Sequence, residues 1–493
     1  MKRFHVPFTY TILYLFVVCL SFTAFAQTRS PKRGLSGDLT SNADLDSVYK
    51  GISWYYNWGI TPNASIIANS QNYIEYVPMI WGGSFDKTTL TNYLDNHPEV
   101  KYILGFNEPN FKSEANLTPT QAAALWPQIE AIANTYHLKI VGPAMNYCGD
   151  CVSENGTTYK DPIKYLDDFF VACKGCRVDY IAIHSYYDYA PVITSDITKF
   201  SKYKKPIWLT EFNLSSQYAS EEWQRQYLVD AVRILEKDTM LFRYSWFLTR
   251  IGTDGFPYTN ILKQNQSGAL SDLGLVYTNM SSFDSTYFHP VESVIEAEHY
   301  IDMSGMYLEK TTDTSGKISL YDIQSGEWSD YLIDIPETSV QYFTSFRYSS
   351  AQQASFSIYQ GTTLLGSVVL PGTDGVNNWR TFISAIPLPS GKSKIRLKAV
   401  TGGFKLNSFK ISSENITPVI DPLDIEAIKV YPNPVKDILT IEYASNLKKI
   451  QIIDVLGATL ITGNSNKINV STLSPGMYYV KINDSLVTKM YKE

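Results

Sequence analysis

The chain has 493 residues, 44% hydrophobic and only 18% charged, with a formal net charge of −6. This composition excludes wholesale disorder and provides for two to four domains of roughly 100–200 residues each. A mildly acidic chain without basic runs is also a poor binder of nucleic acid, so no nucleic-acid partner is expected. From the N-terminus, Lys2 and Arg3 precede the apolar run 10–22, and the small-residue site Ala24-Phe25-Ala26 follows it. That order reads as a secretory signal peptide over residues 1–26. The alternative is a membrane anchor, but the run is short of the ~20 residues a span needs. No later segment is long and apolar enough to span, so no transmembrane segment is expected in the mature chain. Loss of Lys2 and Arg3 makes that mature chain more acidic still.

From about 33 to 281, eight short apolar or aromatic runs alternate with helical stretches. The runs are 33–37, 51–58, 73–81, 100–109, 138–146, 178–186, 205–213 and 242–248. Among the intervening helices, Thr118 and Pro119 open one over 118–137, and Ser220, Glu221 and Glu222 open another over 220–238. Eight βα units in this length predict an α/β (β/α)8 TIM barrel over 27–285. A doubly wound open sheet is the alternative, but no glycine-rich phosphate fingerprint follows any strand.

After removal of the signal, the cysteines are Cys148, Cys151, Cys173 and Cys176. Two C-x2-C pairs suit zinc in a cytosolic protein and disulfides in an exported one. A helix predicted over 161–172, capped by Asp161 and Pro162, separates the pairs by about 18 Å. A disulfide requires Cα atoms within ~7 Å. The expected bridges are therefore local, Cys148–Cys151 and Cys173–Cys176.

Beyond the barrel, period-two strands at 329–335, 341–349, 354–361, 363–370, 393–400 and 404–411 predict an all-β sandwich over 290–412. A linker over 413–427 leads to a small C-terminal β-sandwich over 428–493. Nothing in the sequence calls for more than a monomer.

In a (β/α)8 barrel the site lies at the carboxyl ends of the strands. Two apolar strands end in glutamate there: the fourth, in Asn107-Glu108-Pro109, and the seventh, in Glu211. These strands face each other across the mouth. A carboxylate on each side is what glycoside hydrolysis requires, one to protonate the leaving oxygen and one to act at the anomeric carbon. Each could also be a salt-bridged strand end, but no HExxH, GxSxG or P-loop competes for the chemistry. Asn107 is placed to hydrogen-bond the sugar 2-hydroxyl. His184 and Tyr186 end the sixth strand beside Glu211. Trp54 and Tyr56 on strand two, Trp81 after strand three and Trp246 on strand eight are candidate sugar-stacking aromatics, in a chain whose aromatics reach 14%.

GFNEPN followed by WLTEFN, with SWYYNW and AIHSYY, resembles glycoside hydrolase family 128 over about 33–280. The resemblance implies a β-1,3-glucan substrate, no catalytic cofactor, and retention through a covalent glycosyl-enzyme. Glu108 would be the acid/base and Glu211 the nucleophile. Over about 290–412 the chain resembles carbohydrate-binding module family 6. That likeness implies sugar contacts at Tyr321, Trp379 and Asn407, with Lys405 standing where many members have Asn. It also implies a structural Ca2+ held by Glu296 and Glu298, two residues apart on one strand face. The segment 428–493 resembles the type A sorting domain of type IX secretion, which implies that machinery as a partner and a secreted or cell-surface location. Together these give a secreted endo-β-1,3-glucanase. The alternatives are an endo-hydrolase of another β-glucan or β-mannan, and a non-catalytic surface glycan-binding protein.

Overall fold

The computed structural model describes residues 29–68, 74–251, 256–336, 342–413, 428–443, 449–454, 458–482 and 486–493. The signal segment and nearly all of the linker lie outside the described residues. The chain forms two compact units, through Ser413 and from Glu414 onward.

The first unit opens with eight parallel strands: β1 (Arg33–Ser36), β2 (Trp54–Tyr56), β3 (Glu75–Tyr76), β4 (Tyr102–Leu104), β5 (Lys139–Met145), β6 (Tyr180–Tyr186), β7 (Ile207–Asn213) and β8 (Leu241–Phe247). They pair in the order 3-2-1-8-7-6-5-4. A parallel bridge from Met79 to Leu104 joins the two ends, with Ile80 N donating to Leu104 O at 2.9 Å. All eight expected strands are present.

Helices intervene where the caps predict them. Over Pro119–Thr135, Thr118 accepts from Gln121 N in a full capping box; over Pro162–Cys173, Asp161 accepts from Ile163 N; over Glu221–Lys237, Ser220 accepts from Trp223 N. Each side chain satisfies an amide that the first helical turn leaves without a partner. Among the described residues no helix is long and apolar enough to cross a membrane. Cys148 is bonded to Cys151 and Cys173 to Cys176, both with Cα atoms 5.5 Å apart, as expected.

Two β-sheets of six strands each follow, spanning His289 to Ser412. The six expected strands are present, and Ile318–Tyr321 and Gly375–Ser384 join them. The sandwich packs tightly on the barrel. Its buried residues and those of the barrel's outer layer form one continuous apolar core. Arg233 Nη1 donates to Met303 O at 3.0 Å, and Lys237 pairs with Asp302 at 2.5 Å. The second unit has sheets of three and four strands around its own core of Leu439, Ile441, Ile450, Ile452, Val480 and Ile482.

Candidate active site

The barrel floor is sealed by aromatics. Trp54, Trp208, Tyr102 and Phe242 surround the Arg243 guanidinium, which reaches Glu75 at 2.6 Å. Trp54 belongs to this layer. It is fully buried, its indole donates to Lys32 O at 3.0 Å, and a Cβ on Gly34 would lie only 2.3 Å from its ring. The expectation that Trp54 stacks on sugar is therefore corrected: it lies beneath the site.

Above the floor opens a cleft of about 660 Å³, lined by Trp58, Trp81, Asn107, Glu108, Glu114, Asn146, Tyr186, Glu211, Ser215 and Phe247 among others. Glu108 follows β4 with φ of 41°, and Trp58 follows β2 with φ of 60°. Left-handed backbone at non-glycine residues costs on the order of 1–3 kcal/mol and persists where the surroundings impose it, often at functional sites.

Glu108, His184 and Glu211 converge, each offering a ligand atom within 4.8 Å of the other two. His184 Nδ1 lies 2.6 Å from Glu108 Oε1 and 3.3 Å from Glu211 Oε2. Asn146 Nδ2 donates to the same Glu108 oxygen at 2.8 Å. Glu211 accepts from Trp58 Nε1 at 2.8 Å and from Tyr56 OH at 3.1 Å on Oε1, and from Tyr186 OH on Oε2. Asn107 Nδ2 donates to Glu114 at 3.2 Å at the cleft wall.

Burial raises the Glu108 carboxyl, but the His184 charge and the hydrogen bonds from His184 and Asn146 outweigh it and hold Glu108 below its ordinary range. Glu211 is pushed up by its complete burial, with the Glu108 charge adding to this against the pull of His184 and its donors. Burial disfavours the charged form of His184, yet the two flanking carboxylates raise it overall.

Strand register explains how these groups meet. On β7, Trp208 points into the barrel and Leu209 outward. Strict alternation would then turn Glu211 outward. Ile183 pairs with Leu209 but His184 pairs with Glu211, so Thr210 is one extra residue, a β-bulge that restores Glu211 to the cleft. A second bulge at Gly142-Pro143 in β5 lies three residues before Asn146.

The remaining expectations divide. Asn107, Trp81, Tyr186, Glu108 and Glu211 line the cleft, and Trp81 is 38% exposed. Tyr56 and His184 are buried beneath it and act on the carboxylates, so Tyr56 offers no stacking face. Trp246 is corrected: it is fully buried on the outer side of β8 against Phe212 and Tyr277, and its neighbour Phe247 faces the cleft. Asn146 and Glu114 are the cleft groups not singled out from sequence, whereas Trp58, the last aromatic of the SWYYNW run and a stacking candidate there, donates its indole N–H to Glu211.

In the sandwich, Tyr321 is corrected. It is 8% exposed, lies under the Arg225 guanidinium of the barrel at 5.5 Å, and its hydroxyl is 3.4 Å from both Arg225 Nη2 and Glu222 Oε1. Asn407 is also corrected, being fully buried with its Nδ2 donating to Asp313 Oδ2 at 2.7 Å and Ser315 O at 2.9 Å. Trp379 is half-buried, with its indole on Thr312 Oγ1 at 2.9 Å. Glu296 ends its strand and Glu298 sits in the following turn rather than on the strand. Each has one buried carboxylate oxygen with no hydrogen-bond partner among the described residues. Burial, then the Glu296 charge, pushes Glu298 well up. Buried oxygens lacking donors fit a hard cation.

A closed parallel barrel with two glutamates converging at its mouth defines a glycoside hydrolase fold and site, and residues 33–277 match the family described as Glycosyl hydrolase catalytic core. Residues 296–413 match Carbohydrate binding module (family 6), and 429–492 match Secretion system C-terminal sorting domain. The chain is 40% identical to a family 128 subgroup II endo-β-1,3-glucanase of Sorangium cellulosum, covering 50% of this chain and 98% of that one with a TM-score of 0.45. It is 36% identical to the Pseudomonas viridiflava enzyme of the same subgroup, with coverages of 51% and 98% and a TM-score of 0.47. By family match and sequence identity, the chain belongs to glycoside hydrolase family 128. It is also 30% identical over 263 residues to Alkali-sensitive linkage protein 1 of Schizosaccharomyces pombe, covering 50% of this chain but only 44% of that relative's length.

Proposed function

We propose that this chain is a secreted endo-hydrolase of β-1,3-glucan that works with retention, Glu211 as nucleophile and Glu108 as acid/base. The observation that carries this reading is the convergence of the two carboxylates within 4.8 Å, about His184, in an open cleft. Retaining enzymes hold their carboxyl groups about 5–5.5 Å apart, and inverting enzymes leave a wider gap for water. The Sorangium and Pseudomonas relatives, named as endo-β-1,3-glucanases, support the substrate class by sequence identity.

Burial and neighbouring charges shift the two carboxyls opposite to their roles, Glu108 downward and Glu211 upward. His184 reconciles them. Raised between two carboxylates, it carries the proton, and its short contact to Glu108 is the route by which that proton reaches the acid. Once Glu108 is protonated, its repulsion of Glu211 ends. Trp58, Tyr56 and Tyr186 then hold Glu211 as the carboxylate that attacks the anomeric carbon. Asn107 contacts the sugar 2-hydroxyl, and Trp81 offers a stacking face.

The sorting domain supports delivery by type IX secretion, with residues 1–26 as the export signal, to the cell surface or beyond. Glu296 and Glu298 would hold a structural Ca2+ in the sandwich, and the enzyme acts as a monomer with no catalytic cofactor. Laminarin hydrolysis tests the reading against cellulose and mannan, with product anomers followed by NMR. The expected result is β-anomer release from laminarin, and loss of about 10²–10⁴-fold in kcat for Glu108→Gln and at least as much for Glu211→Gln. Inversion, or near-normal turnover in either variant, refutes it.

A further inference from the structure

We propose that Ser245 is a positioning residue for Glu211, acting through the bulged residue Thr210; this rests on the reading of Glu211 as nucleophile. The bulge is what turns Glu211 toward the sugar. Leu209 pairs with Tyr244 and Phe212 with Trp246, so the two residues Thr210 and Glu211 on β7 oppose the single residue Ser245 on β8. On the other side, the step from Ile183 to His184 is matched by the step from Leu209 to Glu211. Thr210 is therefore supernumerary against both neighbouring strands, and a bulge leaves its extra residue outside the regular ladder.

Two hydroxyls take up the Thr210 carbonyl. Ser245 Oγ donates to it from β8, and Tyr56 OH lies 3.1 Å away from β2. Tyr56 OH also lies 3.1 Å from Glu211 Oε1. Ser245 is fully buried, lies between the outward-facing Tyr244 and Trp246, and so points into the barrel beneath the cleft. A larger side chain there would crowd the barrel interior, and an alanine would leave the carbonyl to Tyr56 alone. Tyr56 would then be drawn between Thr210 O and the nucleophile. Without the clamp, β7 is free to relax toward regular pairing, which rotates Glu211 away from Trp58 and Tyr186.

The test is Ser245→Ala and Ser245→Cys in the full chain, beside Glu211→Gln, with laminarin turnover and the rate of covalent trapping by a 2-deoxy-2-fluoro glucosyl donor. Ser245→Ala is expected to lower kcat and the trapping rate together by about 10- to 100-fold, as misplacement of a reacting group does, with KM changed less than twofold. The acidic limb of its kcat profile moves to higher pH, because Glu211 loses donors that favour its ionised form. Ser245→Cys keeps the side-chain volume and weakens the bond, and is expected to fall between. If Ser245→Ala does not fold, Ser245→Cys decides alone. Folded variants with wild-type trapping and an unmoved acidic limb, beside an inactive Glu211→Gln, overturn the proposal and spare the nucleophile. An active Glu211→Gln overturns the underlying reading instead.

Discussion

The barrel mouth and the loop end of the sandwich carry the same expectation, aromatic side chains presented to a glucan, and the structure builds them differently. At the mouth, strand ends converge on an open cleft whose wall includes Trp81 and Trp58. In the sandwich, Tyr321 faces a barrel helix and is enclosed by Arg225 and Glu222. The same residue type binds ligand or holds two domains together according to what packs against it, and a motif fixes the residue but not the neighbour.

The largest effect that would sharpen this contrast is at His184. His184→Asn removes the cation that holds Glu108 down and opposes the rise of Glu211, leaving burial and mutual repulsion to raise both further. A nucleophile must be ionised, so the acidic limb of kcat/KM moves to higher pH. Turnover at neutral pH falls by about 10²–10³-fold, the scale of a lost proton carrier. Folding responds too. A histidine raised in the folded state contributes stability below its unfolded pKa and loses it as pH rises through the folded value. The wild-type melting temperature should therefore decline more than that of His184→Asn on going from neutral to alkaline pH. Coincident pH–rate profiles for the two proteins would remove His184 from the proton path.

Tyr321→Ala comes next, and it separates the two regions directly. Truncation of a buried aromatic in the shared core costs about 2–4 kcal/mol, read as a lower urea midpoint for the first unit. Laminarin affinity stays unchanged in the variant at low temperature. A loss of sugar binding with unchanged stability would return Tyr321 to the role its motif suggests. Calcium acts at a similar scale. Chelation should lower the melting temperature of the sandwich, and restoring the ion at a hundredfold over its Kd should recover about 2.7 kcal/mol. Glu298→Gln should abolish that response.

These contrasts mark what the sequence makes legible. The eight barrel strands are readable because each apolar run ends in polar residues, and Glu108 and Glu211 because each closes such a run. The helix starts and the local disulfides follow from caps and chain reach. Side-chain parity beyond a bulge is not readable in the same way. Gly142-Pro143 inside β5 is a visible sign of irregular pairing, three residues before Asn146, whereas nothing around Thr210 marks the bulge that aims Glu211. Trp246 is misread for a related reason: on β8 alternation puts it outward and Phe247 inward. Trp58 reaches Glu211 because its backbone takes a left-handed turn that its sequence does not announce. Tyr321 and Asn407 are lost to tertiary neighbours that come from distant stretches of chain.

Trp379 gives the smallest expected effect and the finest test of the comparison. It keeps a half-exposed face, and its indole N–H is already committed to Thr312, which orients the ring without enclosing it. Lys405 lies close by and is paired with Glu309 at 2.5 Å and with Asn377 at 3.2 Å, so its charge is not free to recognise an acidic ligand. What remains for a sugar at this end is one aromatic face without its expected partner Tyr321. Such a platform should bind weakly: Trp379→Ala is expected to cost about 1 kcal/mol, roughly fivefold, in retention on insoluble β-1,3-glucan. Stability and the turnover of short soluble oligosaccharides should not change, because the ring contributes to neither the shared core nor the cleft. Retention unchanged in Trp379→Ala but lost in Trp81→Ala would mean that the barrel alone holds the polymer and that the sandwich serves as a brace.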